Sequence, residues 1–218
     1  MKRNSGFTLL EVIGALIASS LLMLVLFALW QRGQTSVEQA HAAYHLREVN
    51  NATEIYVKRH YETLLHASSA SSGPRITIAQ VINDGALPED FRDTNLWGQS
   101  YEIYVRRPQE NVLNTIIITR GGREHEEGDS FATLTVPGAA MRFGGAGGFV
   151  PTGDITGQTP GTLLGSSGGY VLDLAVLGIA SPGPGHLGAY SAFDEYDLGT
   201  DYLYRGEVPG HPEYNQMQ

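Results

Sequence analysis

Hydrophobic positions crowd the start of this chain. Phe7-Thr8-Leu9-Leu10-Glu11 opens an apolar run, and residues 12–30, nineteen in all, carry no charge. At 1.5 Å per residue that run spans roughly 28 Å, close to the hydrocarbon thickness of a bilayer. Beyond it, Val37, Ala40, Tyr44, Val49, Ala52, Ile55 and Tyr56 recur at helical spacing, and Leu64 and Leu65 extend the stripe. No proline interrupts, and Gly14 and Gly33 are the weak points. The pattern predicts one helix over residues 7–67, about 90 Å long. Its first half is apolar all round, and its second offers one face to a globular head.

Small residues at 68–73, ending at Pro74, close the helix. Thr77 with Gln80 fits a capping box and Gly85 a C-terminal cap, which predicts a short helix. Residues 95–99 read as a turn. Residues 100–107 alternate, with Tyr101, Ile103 and Val105 on one face, and 113–119 are β-branched and apolar, so both predict strands. Residues 108–111 read as the hairpin loop between them, closed by Gly121-Gly122, and 131–136 as a third strand. Fifteen of the 27 glycines fall between Gly138 and Gly188, which predicts turns, bulges and short strands. Candidate strands there are 170–177, 187–193 and 202–205. Residues 206–218 carry two prolines and little apolar content, a loose end. The fold class is therefore α+β, a long N-terminal helix on an antiparallel sheet with a Gly-rich β region. The chain divides into a leader at 1–6, the helix at 7–67 with its membrane or assembly part at 7–30, a head at 68–137, and the Gly-rich region at 138–218.

The net charge of -9 argues against nucleic acid as partner, since binding phosphates needs clustered Lys and Arg. With no Cys, disulfides, thiolate metal sites and Cys nucleophiles are excluded.

Lys2 and Arg3 precede the apolar run and place its N-terminal side in the cytoplasm. A secretory signal would have a shorter apolar region and a small-residue cleavage site. A plain signal anchor gives no reason for Glu11, whose carboxylate in lipid costs on the order of 2.5–3.5 kcal/mol. Gly6-Phe7-Thr8-Leu9-Leu10-Glu11 resembles the processing motif of type IV prepilins and type II secretion pseudopilins. The resemblance implies that a membrane peptidase cuts between Gly6 and Phe7 and methylates the new Phe7 amine, making Glu11 the fifth mature residue. Gly6 would give that peptidase close backbone access. Glu11 could then neutralise the Phe7 ammonium of an adjacent subunit and set register in a fibre.

The head adds a closer resemblance. Residues 78–87, 95–101 (Asn-Leu-Trp-Gly-Gln-Ser-Tyr), 144–150 and 181–187 (Ser-Pro-Gly-Pro-Gly-His-Leu) are similar to the constant region of shufflon-type minor pilins of conjugative plasmids. That family implies a subunit at the tip of a thin pilus, whose variable C-terminal segment contacts the recipient cell. The implied partners are a prepilin peptidase, other pilin subunits, an inner-membrane assembly platform, the membrane itself before assembly, and a recipient cell-surface glycan. The expected location is the bacterial inner membrane, with the head outside the cytoplasm, and then the extracellular pilus. Such proteins continue past the equivalent of Gln218 into the variable segment, so a receptor-binding module is not carried over. The lack of Cys also departs from pilins that close a C-terminal loop with a disulfide.

Other constellations carry less. His41 and His45 share a helix face with Glu38 and Glu48 one turn away, which reads as a solvated polar face before a metal site. Asp194, Glu195, Asp197 and Asp201 are weak calcium candidates in a late acidic loop that matches no EF-hand. Residues 144–148 are glycine-rich but lack the Lys and Ser/Thr of a nucleotide loop, and no Gly-x-Ser-x-Gly elbow occurs. Trp97, Tyr101 and Tyr104 read as hairpin or core packing before a ligand surface. No cofactor and no enzyme activity is implied. The expected function is a structural, pilin-like subunit of a conjugative pilus. The alternatives are a type II secretion pseudopilin or a membrane-anchored surface enzyme or binding protein.

Overall fold

The computed structural model describes residues 9–127, 129–153 and 158–194. Helix α1 runs Leu9–Arg59 and passes through Gly14 and Gly33 unbroken. His60 leaves helical geometry, and α2 resumes at Tyr61–Ala67. The path follows the expected long helix, with one interruption that keeps its hydrogen bonding: His60 N donates to Tyr56 O, and Leu64 N to His60 O. Asp84 fastens the joint, accepting from Arg59 Nη1 and sitting 2.8 Å from His60 Nε2.

After β1 (Arg75–Ile76) comes α3 (Ile78–Asn83). Its capping box is formed as the sequence predicts: Thr77 Oγ1 accepts from Gln80 N, and Gln80 Oε1 from Thr77 N. Gly85 follows with φ 76°. The long hairpin β2 (Ser100–Gln109) and β3 (Val112–Arg120) is tighter than expected. A register shift between Arg106 and Gln109 keeps Pro108 in the strand, and the turn shrinks to Glu110-Asn111. Asn111 takes φ 60°, a conformation Asn tolerates better than most residues.

Residues 131–136 do not form a strand. Phe131–Thr135 is one wide π-helical turn, and α4 follows at Val136–Phe143. Asp129 Oδ1 accepts from Phe131 N at the entry, and Pro137 sits in the first turn of α4, where its missing N–H costs nothing. Gly138 is inside this helix, against the expectation of turns and strands, because α1 comes so close that a Cβ there would strike the Gln39 side chain. Packing on α1 overrides the β propensity of Thr133, Thr135 and Val136. Four short strands complete the sheet: β4 (Gly147–Phe149), β5 (Thr162–Gly165), β6 (Val171–Asp173) and β7 (Leu187–Asp194). The expected strand at 170–177 stops at Asp173, whose Oδ1 accepts from Ala175 N and Val176 N and turns the chain. The candidate at 202–205 lies outside the described residues.

All seven strands pair antiparallel in the order β1-β2-β3-β7-β4-β5-β6. The late strand β7 is central, between β3 and β4. The arrangement is α+β and type IV pilin-like, a long helix laid on a curled sheet. The core between them joins Leu46, Val49 and Val57 of α1 to Ile103, Val105, Leu113 and Ile117 of the hairpin.

A buried polar network locks the head. Gln99 is fully buried, and its Nε2 donates to Gly185 O at 2.8 Å and Arg123 O at 3.1 Å. Its Oε1 accepts from Thr119 Oγ1 at 2.9 Å and Asn95 Nδ2 at 3.2 Å. Thr119 Oγ1 in turn accepts from Leu187 N. At the distal end, beyond α2, buried Arg106 donates Nε to Leu177 O at 2.7 Å and Nη1 to Val105 O at 2.8 Å. Removing Gln99 strands buried partners in three segments. Gln99→Ala is expected to cost about 3 kcal/mol and to lower the Tm of the detergent-solubilised full chain by roughly 6–12 °C, read by thermal unfolding.

Candidate functional site

The first half of α1 is the most distinctive surface. Every residue from Leu9 to Gln34 is exposed, although a stretch of this helix reaches a mean hydropathy of 2.7. Its two serine hydroxyls are satisfied by the helix itself: Ser19 Oγ and Ser20 Oγ both donate to Leu16 O. The cylinder therefore offers apolar side chains with little polar surface to desolvate. Glu11 stands exposed in the first turn, where the helix dipole favours a carboxylate. Gly6 and Phe7 lie outside the described residues.

The second half carries the head. The buried face is Ala42, Ala43, Leu46, Val49, Asn50, Ala52, Thr53 and Val57. This corrects the expected stripe. Val49 and Ala52 face the core, but Val37, Tyr44 and Ile55 are 58%, 60% and 43% exposed. The outer face sets these three among the exposed His41, Asn51 and Arg59, and their helical spacing drew the expected stripe off the buried line. The small Ala42 and Ala43 let the sheet and α4 approach on their side. The opposite line, Val37-Tyr44-Ile55, prolongs the exposed apolar surface of the first half.

Three side chains on α1 clamp α4. Arg47 Nη2 donates to Arg142 O at 2.9 Å and Phe143 O at 2.8 Å, satisfying carbonyls at the C-terminus of α4. Gln39 Nε2 donates to Leu134 O at 3.3 Å, and Ser36 Oγ accepts from Arg142 Nη2 at 2.8 Å.

His45 and His41 part company. His41 is exposed. His45 stacks on Phe91 and Tyr101, with Nδ1 2.9 Å from Tyr101 Oη. Burial holds the His45 pKa below its ordinary value. Among the described residues no cluster of three or more His, Asp or Glu is placed to hold a metal ion. Asp194 ends β7 opposite Val112, while Glu195, Asp197 and Asp201 lie outside the described residues. Trp97 and Tyr101 are buried in the core, and Tyr104 packs half-buried against a separate cluster that includes Ile116, Ile118 and Leu174, so these aromatics are packing residues.

The singled-out stretches 95–101, 144–150 and 181–187 meet in space. Gln99 bonds Gly185 O, Val150 N donates to His186 O, and Gly148 pairs with Gly188. A Cβ on Gly148 would meet Tyr170 Oη and Leu164 O, and one on Gly147 would meet Ala140 O, so these two glycines serve close backbone packing. A family model for the N-terminal constant region of bacterial shufflon proteins matches residues 34–218. The chain belongs to the bacterial shufflon protein family.

A second family model, the prokaryotic N-terminal methylation motif, matches residues 1–27 of this shufflon-family chain. With that motif on a pilin-like fold, the chain is a type IV pilin-like subunit. Shufflon proteins A' and B of Escherichia coli are each similar at 29% identity over 225 residues. The alignments cover 99% of this chain and 48% and 47% of theirs, so the chain spans about half the length of the curated relatives it matches. No solved structure matches it.

The His45 environment sets a pH dependence. The folded state lowers this pKa, so the stability it contributes is present above the unfolded value and lost as pH falls through the folded one. The Tm of the full shufflon-family chain in detergent should fall between ~pH 7.5 and ~pH 5. In His45→Phe, which keeps the ring stack, the fall should be smaller.

Proposed function

We propose that this chain is a minor pilin of a conjugative thin pilus, processed at its N-terminus and contributing to recipient contact at the tip. It inserts with Lys2 and Arg3 in the cytoplasm and the head outside the inner membrane. A prepilin peptidase cuts between Gly6 and Phe7 and methylates the Phe7 amine. Glu11 pairs with the Phe7 ammonium of a neighbouring subunit as the helix leaves lipid, and the assembly platform feeds the helix into a bundle of pilin helices. The four stretches serve as leader (1–6), assembly helix (7–67), head (68–137) and Gly-rich completion of the head (138–218). A recipient cell-surface glycan is the expected target of the tip.

The observation that carries this reading is the pairing of a methylation motif at residues 1–27 with an exposed apolar helix that no part of the described chain covers. Carboxylates are rare in such helices and mark a partner. For Glu11, a cationic N-terminus on an adjacent helix fits both the charge and the position near the helix end.

Mass spectrometry of the N-terminus, with and without the peptidase, tests the processing step. The expected mature chain starts at N-methylated Phe7 only when the peptidase is present. A chain starting at Met1 under both conditions would rule processing out. Glu11→Ala should still be cut, yet its incorporation into sheared fibres should fall about tenfold or more, because removing one partner of a desolvated ion pair costs about 3–5 kcal/mol.

A further inference from the structure

The base of the head, where α1 leaves it, carries apolar side chains that the core does not use. In the π-helical turn before α4, Phe131, Ala132 and Thr135 are buried while Leu134 is 59% exposed. One turn into α4, Met141 is 66% exposed. Leu134 shares a hollow with Ala28, Gln31 and Arg32, so its side chain stands level with the end of the charge-free run at Trp30. Met141 borders a second hollow of about 450 Å³, with Pro137, Phe149, Pro151 and Leu164 also on its wall.

Height and charge point to one occupant. The π-helical turn sits lowest: Leu134 lies beside Ala28, Gln31 and Arg32, within two positions of Trp30 or about 3 Å along the axis, while α4 climbs from there to Arg47, seventeen positions and about 25 Å beyond Trp30. The polar layer of a bilayer is roughly 5–8 Å deep on each side, and amphipathic elements sink about 5–10 Å into it. A head held that close to the hydrocarbon edge touches the interface with its lowest side chains. The chain is acidic overall, yet no Asp or Glu occurs from Ser130 to Gly153, where Arg142 is the charged residue. Across the gap α1 presents Arg32 and, half-buried, Glu38. The base is thus apolar with a cationic balance, in a chain whose net charge is -9. Trp30 and Arg32, of the types that anchor helices at membrane interfaces, stand at the same level.

We infer that, before assembly, the base of the head rests on the phospholipid bilayer that α1 spans, with Leu134 entering the headgroup–acyl boundary and Arg32 facing lipid phosphates. The inference rests on the membrane-anchored reading of α1. It gives the unassembled subunit a fixed posture, which entry into a fibre must undo.

The absence of cysteine makes single-site labelling direct. Full-length chains carrying Leu134→Cys, Met141→Cys, Leu21→Cys or Val176→Cys are labelled with an environment-sensitive fluorophore. They are reconstituted at low density into phosphatidylethanolamine–phosphatidylglycerol vesicles containing a lipid with a quencher on its acyl chain. Val176 is an exposed residue at the distal end, next to the Leu177 carbonyl that Arg106 holds. The label at Leu134 should emit to the blue of the Val176 label and lose intensity to the quencher, with Leu21 quenched most and Met141, higher on the head, quenched less than Leu134. If Leu21 is quenched while Leu134 matches Val176, the inference is wrong and the anchored reading stands. If Leu21 is not quenched, the anchored reading fails and takes the inference with it. A blue shift at Leu134 that resists the quencher and fades on dilution into more lipid would mean that a second copy covers this face, which also overturns the inference.

Discussion

Fifteen large apolar side chains between Leu9 and Trp30 face outward from α1, and no part of the described head reaches them. Burial is worth about 1.5–3 kcal/mol for each such side chain, so this half-helix represents on the order of 20–40 kcal/mol of unmet hydrophobic burial. A folded domain is stable by only about 5–15 kcal/mol. The subunit therefore has two resting places, a lipid bilayer or the apolar flanks of other helices. The rest of the molecule is built around holding a folded head at the end of such a rod. Between Leu9 and Trp30 the rod carries one charged residue, Glu11, which the proposed function pairs with the N-terminus of a neighbouring subunit.

The head is held by small residues and by carbonyl capping more than by bulk. Ala42 and Ala43 bring α4 close to α1, and Gly138 removes the last obstacle. Arg47 then satisfies the carbonyls that end α4, while Gln39 and Arg142 tie its ends to α1. Behind this contact the sheet is stitched by β7, which arrives late in the chain and pairs in the middle. Non-local closure of that kind leaves glycine-rich loops to be pinned, and the Gln99 network does this from the hairpin side.

Much of this was legible where the signals are local. The charge-free run, the Thr77–Gln80 capping box and the alternation of Tyr101, Ile103 and Val105 each depend on near neighbours, and the structure bears them out. The methylation motif was likewise readable in a few residues. The misses came where distant contacts decide. Thr133, Thr135 and Val136 look like a strand until Pro137 in a first turn, Arg142 in a last turn and Gly144 just after are weighed as helix signals. The α1 stripe misled because Val37, Tyr44 and Ile55 are as apolar as the buried line beside them. Their spacing matches that of the buried line, which periodicity cannot separate from core. Gln99 is polar in a turn, and only the fold shows that four partners converge on it.

The central claim is that the exposed half of α1 trades lipid for the helices of other subunits. A photo-crosslinking residue at Leu21, in the middle of that half, tests it most directly, with membranes and sheared fibres irradiated separately. The account predicts lipid adducts from membranes and adducts to other pilin subunits from fibres. Fibres in which the chain is present but its Leu21 probe captures no other subunit would contradict it.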